Sequence, residues 1–233
     1  YIRLEKPDCI CVELPHALAS QVTEGLKKLP YHSVILYQTA NDENSVLLIE
    51  GSDGVQEAAR FASEERIPLF FVDPLSLRYP LFMDKLSDAY LIDLIGQKMF
   101  VEQVLNAAKQ DDDEENSRRE TFMAARLQQI AREHGKVLFV GGLAHIPGIV
   151  KCLAFPRALP LMKTGVKAAV TAPLHPDSLK KGFTEIPRIT EIFEQWRSQP
   201  DAPHPQNRHE LILELMNESR AYFERQTHQE VPE

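Results

Sequence analysis

The sequence predicts an α/β protein: a largely parallel sheet flanked by helices, followed by a C-terminal helical extension. Three observations carry that prediction. Short runs rich in Val, Ile, Leu and Phe recur along the chain without strict alternation, as in strands covered on both faces. Segments with apolar residues at three- and four-residue spacing lie between these runs, as in amphipathic helices. The strand-like run from Lys136 breaks on Gly141-Gly142, where the backbone can turn sharply.

The strands are expected at Cys9–Leu14, Ser33–Tyr37, Val46–Glu50, Leu69–Asp73 and Val137–Gly141, with a weaker one at Val166–Thr171. After Pro15, which suits a helix's first turn, Leu18, Val22 and Leu26 repeat every four residues. Val55, Ala58, Ala59 and Ala62 form a second stripe, opened by Asp53 as N-cap with Gln56 three residues on. Residues 84–109 read as mostly helical. Five consecutive carboxylates from Asp111 to Glu115 repel one another and read as a solvated linker. A helix then runs from Asn116 to His134, with Met123, Leu127, Ile130 and Ala131 as its buried stripe.

Past residue 155 the character changes, placing a domain boundary between an α/β core at 1–155 and a helical extension at 156–233. The extension holds a helix marked by Ile189, Ile192, Phe193 and Trp196, a proline-rich turn at Ser198–Asn207, and a helix from Ile212 to Phe223. This pair packs on its own chain or buries a subunit interface of a homo-oligomer.

A net charge of −8 without a Lys/Arg cluster argues against a nucleic-acid footprint. No apolar run is long enough to span a bilayer, so no membrane partner is expected. Cys9, Cys11 and Cys152 make an odd set without framework spacing, pointing to a reducing, cytoplasmic setting. Cys9 and Cys11 share one strand face and read as small core residues. Walker, Rossmann, nucleophile-elbow, paired-histidine zinc and CxxC motifs are absent from the sequence.

The candidate functional residues sit where strands end. Glu13 closes the first strand before Pro15, and a carboxylate there must be solvated, paired or metal-bound. His145 follows the Gly141-Gly142 turn, at the sheet edge where ligands bind in open α/β folds. If the two share that edge, they form a water-activating or metal-binding pair. Arg119 lies four residues before Met123, about 40° from it on a helical wheel, and so leans inward toward an anion. That anion is either a carboxylate of this chain or a substrate group. Gly142, Asp53 and Asp73 are the expected substrate contacts, although Asp53 also serves as a cap and Asp73 as a turn residue before Pro74. His16 and His175 are isolated, and His204, His209 and His228 read as surface residues.

Several segments look like those of a known superfamily. Lys6-Pro7-Asp8 followed by Cys9-Ile10-Cys11-Val12-Glu13-Leu14 resembles the "KPDxxxVEL" strand of TraB/GumN proteins, relatives of the Tiki proteases, haem-binding ChaN proteins and erythromycin esterases. Arg119-Glu120-Thr121-Phe122-Met123-Ala124 is similar to the family's "RDxxMA" helix start. Gly142-Leu143-Ala144-His145-Ile146-Pro147-Gly148 is similar to its second GxxH motif. Ala58–Ala62 leading to Phe71-Val72-Asp73 resembles the intervening helix and "IDR" strand, with Pro74 in place of the usual arginine.

The resemblance covers residues 1–155 and leaves 156–233 unmatched; the family's first GxxH motif is expected ahead of Tyr1. It implies a polar cleft where Glu13, Arg119 and His145 converge, often around a divalent metal such as manganese, cobalt or zinc held by Glu13 and His145. Hydrolysis of an amide or ester bond in a small-molecule or peptide substrate follows, with Glu13 and His145 activating water. Arg119 then stabilises developing charge or anchors substrate. The alternative is a non-catalytic module that binds a metal, haem or another protein.

Overall fold

The computed structural model describes residues 2–75, 91–108, 114–162, 165–175, 177–178, 185–199 and 208–228. Among these, strands β1 (Cys9–Pro15), β4 (Leu69–Asp73) and β5 (Val137–Val140) form a parallel sheet in the order β4-β1-β5. Cys11 of the central strand lies opposite Phe70 on one side and Phe139 on the other. The start of the sheet is pinned by Asp8, whose carboxylate accepts from the Lys136 amide at 2.6 Å. The α/β class expected from the sequence is the class observed.

The remaining strands, β2 (Ser33–Thr39), β3 (Asn44–Ile49) and β6 (Val166–Pro173), form a separate antiparallel sheet in the order β3-β2-β6. In β2, Ser33, Ile35, Tyr37 and Thr39 are buried while Leu36 is exposed. That is the alternation of a sheet with one covered face. Small polar residues at two of the inward positions hid this period in the sequence. A hairpin joins β2 and β3, with Asp42 in the left-handed region at φ 65°, a conformation Asp tolerates better than most residues.

The chain divides into two compact units, one comprising Tyr1–Ser87 and Val101–Gly182, the other Asp88–Phe100 and Phe183–Glu233. The boundary expected after residue 155 therefore falls too early. β6 pairs with β2 along its length and belongs to the first unit.

Within the first unit, side chains alternate across β1. Ile10, Val12 and Leu14 enter a core with Leu18, Val22 and Leu26 of α2 (Ala19–Leu26) and its preceding turn. Ala58, Ala59 and Ala62 of α3 (Gly54–Glu64) and Ile35 of β2 complete it. Cys9 and Cys11 face the other way, into a second core. That core is completed by Met123, Leu127 and Ile130 of α6 (Glu114–Ile130) and by Ile149 of α7 (Ile146–Leu153). Fully buried aliphatic side chains such as Ile10 and Ile35 each contribute about 1.5–3 kcal/mol by leaving water. Burial pushes the Cys11 thiol up to about 12, which keeps it protonated and suits a packing role.

The expected acidic linker begins a helix instead. Glu114 and Glu115 form the first turn of α6, where the helix dipole favours carboxylates, and Glu114 accepts from Arg118 at 2.6 Å. The linker residues 111–113 and the proline-rich residues 200–207 lie outside the described residues, as does part of the expected 84–109 helix. Its described portion is α4 (Leu91–Ile95) and α5 (Gln97–Ala108).

The second unit contains α4, α8 (Pro187–Arg197) and α9 (Arg208–Thr227). Arg208 at the head of α9 makes two hydrogen bonds to Glu185, at 2.9 and 3.1 Å. Among the described residues, no helix is long and apolar enough to cross a membrane.

Candidate functional site

The period of two that sends Cys9 and Cys11 toward α6 sends Glu13 the same way, at the carboxyl end of β1. Helix α6 runs alongside in the opposite sense. Its stripe Ile130, Leu127, Met123 reaches Arg119 one turn later, level with Glu13. Two independent periodicities thus deliver a carboxylate and a guanidinium to one point. Arg119 Nη2 donates to Glu13 Oε1 at 2.8 Å.

The same guanidinium grips Asp73 at the end of β4. Its Nε donates to Oδ1 at 3.1 Å and its Nη2 to Oδ2 at 3.2 Å, the two-pronged geometry that suits a planar guanidinium. His145, at the end of a 3-10 turn (Leu143–His145) after β5, brings Nε2 to 3.2 Å from Arg119 Nη1 and 3.5 Å from Glu13 Oε1. All three parallel strands therefore send a polar group to their carboxyl edge, where Arg119 joins them.

Arginine has no acceptor, so in the 3.2 Å contact His145 Nε2 is the accepting atom, and a neutral imidazole making that bond carries its proton on Nδ1. Nδ1 then donates to Glu120 Oε1 at 3.2 Å. Glu120 is held close by Gly148 in α7, because a β-carbon at that position would fall on the Glu120 carboxylate. Gly141 allows a similar approach, since a β-carbon there would come within 2.8 Å of Glu13 Oε2. The amide of Gly142 donates to that same oxygen at 2.7 Å.

Burial pushes the Glu13 carboxyl above the ordinary glutamate range. His145, the Gly142 amide and Arg119 oppose that rise, and the neighbouring Asp73 charge reinforces it. The Arg119 and Asp73 side chains are almost wholly enclosed, whereas the Glu120 side chain retains 17% exposure and that of Glu13 11%. The two glutamates are the most exposed members of the cluster.

Glu13, Arg119 and His145 therefore meet, as the sequence led us to expect. The three residues expected as substrate contacts are placed as follows. Asp73, expected as a substrate contact, is 1% exposed and both of its carboxylate oxygens accept from Arg119. Asp53 stands apart from the cluster as the N-cap of α3, accepting from the Gln56 amide at 2.7 Å. Gly142 donates its amide to Glu13. Of the two anions expected for Arg119, the structure shows carboxylates of the chain itself, Glu13 and Asp73.

Glu120 is the residue that sequence reasoning passed over. It lies about 100° from Arg119 around the helix, off the apolar stripe. The signal that could have exposed it is Gly148, a glycine inside a helix with no turn to make. His16 also lies at this edge, its Nδ1 3.1 Å from the Asp73 carbonyl oxygen and its ring stacked on Phe122.

A divalent cation between Glu13 and His145 does not suit this arrangement. The Nε2 lone pair that would ligate it faces Arg119, and Glu13 Oε1 already accepts from the same guanidinium. A metal there would sit against a permanent positive charge. Among the described residues, no group of three or more His, Cys, Asp or Glu side chains is placed to hold a metal ion.

Comparison with known proteins finds no matching family model, no matching curated protein and no matching solved structure.

Proposed function

We propose that this chain hydrolyses amide or ester bonds by general-base catalysis at the Glu13–His145 pair, without a metal-dependent step. The observation that carries the reading is Glu13 itself. It is a carboxylate at the carboxyl edge of a parallel sheet, held above the ordinary glutamate range by burial and 3.5 Å from an imidazole nitrogen. A base whose affinity for protons approaches the working pH accepts one from water more effectively.

In this reading Glu13 takes a proton from water as the water oxygen bonds to the carbonyl carbon, and returns it to the departing amine or alcohol as the C–N or C–O bond breaks, while His145 lies beside Glu13 and holds the pair in place. Glu120 holds the imidazole in the tautomer that leaves Nε2 as acceptor, and Arg119 fixes Glu13 and Asp73 against each other. Neither Glu120 nor Arg119 needs to touch substrate.

A panel of p-nitrophenyl esters and peptide p-nitroanilides tests the proposal. Turnover of at least one substrate should fall by roughly 100-fold or more in Glu13→Gln and in His145→Asn, the usual contribution of a positioned acid or base. No turnover across the panel, or turnover indifferent to both changes, would defeat it. A second reading, a non-catalytic binding module, is favoured by the way Glu13, Arg119, Asp73 and His145 satisfy one another in a mostly enclosed cluster. It expects no hydrolysis at all.

A further inference from the structure

The stripe of α6 does not stop at Arg119. Continuing the spacing of Ile130, Leu127, Met123 and Arg119 leads to Asn116, which is 6% exposed. Its Oδ1 is buried and has no hydrogen-bond partner. In this orientation of the carboxamide the enclosed oxygen lacks a mate. Leaving a buried polar group unpaired is unfavourable, and an apolar residue would serve packing better. An orphan of this kind in a native structure calls for a reason.

Its position supplies one. Asn116 lies about 4.5 Å further along the axis than Arg119, about 60° from it and about 40° from Glu120 around the helix. Because α6 runs opposite to the strands, that step leads past the end of β1, onto the side of the sheet edge where ligands bind in open α/β folds. Asn116 thus shares a helix face with the two residues that organise the cluster, one turn nearer to incoming substrate.

The cluster also constrains what can approach. Glu13 and Asp73 share a single guanidinium, Glu120 faces the His145 imidazole, and the donors Arg119 and Gly142 N–H are turned on Glu13 and Asp73. Acceptors therefore outnumber donors, which disfavours carboxylate or phosphate ligands and favours an uncharged group bearing an N–H. We infer that Asn116 is a substrate-contacting residue that pairs its carboxamide with an uncharged amide group of the ligand, as in a peptide bond. This rests on the hydrolytic reading for its context and narrows the substrate class from ester or amide to amide.

The test uses the full 15N-labelled chain titrated with N-methylacetamide and, separately, with acetate. N-methylacetamide should shift the Gly142 and Asn116 signals saturably, and acetate should not. Asn116→Ala should weaken that binding by about tenfold or more. Asn116→Leu, similar in size but without polar atoms, should unfold at a urea concentration equal to or above that of the unaltered chain. The titration reads binding and not turnover, so a failure of the hydrolytic reading leaves this result standing on its own. Absence of a saturable shift, equal affinity after Asn116→Ala, comparable binding of acetate, or clear destabilisation by Asn116→Leu would each overturn the assignment.

Discussion

The two faces of β1 do different work with the same backbone. On one face, Ile10, Val12 and Leu14 run apolar to the end of the strand and close against α2 and α3. On the other, Cys9 and Cys11 begin in an equally dry core, yet the series ends on Glu13 inside a charged network. The difference lies in the partner. The helix facing Glu13 changes from Met123 to Arg119 within one turn, at the level where the strand changes from Cys11 to Glu13. Polar chemistry can be enclosed here because both elements switch character together.

The largest expected effect is on that match. Arg119→Ala leaves the Glu13 and Asp73 carboxylates enclosed without their cation, and should lower unfolding free energy by about 3–5 kcal/mol. Urea denaturation at neutral pH measures it. A loss under about 1 kcal/mol, the usual size for an exposed ion pair, would show that the cluster is far wetter than its burial indicates.

A subtler difference between the faces is pH dependence, which the apolar face lacks. Glu13 binds its proton more tightly in the folded chain than in the unfolded one. Its contribution to stability is thus fully present below the ordinary glutamate value and is lost as pH rises through the raised one. Stability curves of the unaltered chain and Glu13→Gln, compared at successive pH values, should diverge over that window. The unaltered chain should fall relative to the variant by at most about 1.4 kcal/mol per pH unit. A difference that rises with pH would mean that Arg119 and Gly142 outweigh burial at Glu13.

The smallest effect belongs to a carboxylate outside the network. Asp53→Ala removes the N-cap of α3, should cost about 1 kcal/mol, and should leave the imidazole signals of His145 in an NMR titration unmoved. Movement of those signals would tie Asp53 to the cluster after all.

Much of the cluster was legible before any coordinates, because three of its members sit at positions fixed by simple periods. Glu13 ends a strand, His145 follows a glycine turn, and Arg119 continues a helical stripe. Asp73 was visible as a strand end, but its role was not, since a turn residue before proline and a buried partner of arginine look alike in one dimension. Glu120 was hidden more deeply: its value depends on α7 lying close enough for a glycine to matter, a fact of packing between distant segments. The antiparallel sheet was hidden for another reason, as Ser33 and Thr39 occupy interior positions in β2 where a reader looks for aliphatic residues.

The pairing of Arg119 with carboxylates from two different strands also constrains how α6 can sit. Sliding that helix by a single residue turns its surface by about 100° and lifts it by about 1.5 Å. An aliphatic seam of Met, Leu and Ile could accommodate part of such a slip by repacking. A forked cation clasped by Glu13 and Asp73 cannot, so the helix is indexed against the sheet like a key cut for one lock. Among compact arrangements of these same segments, the one with that clasp closed is singled out.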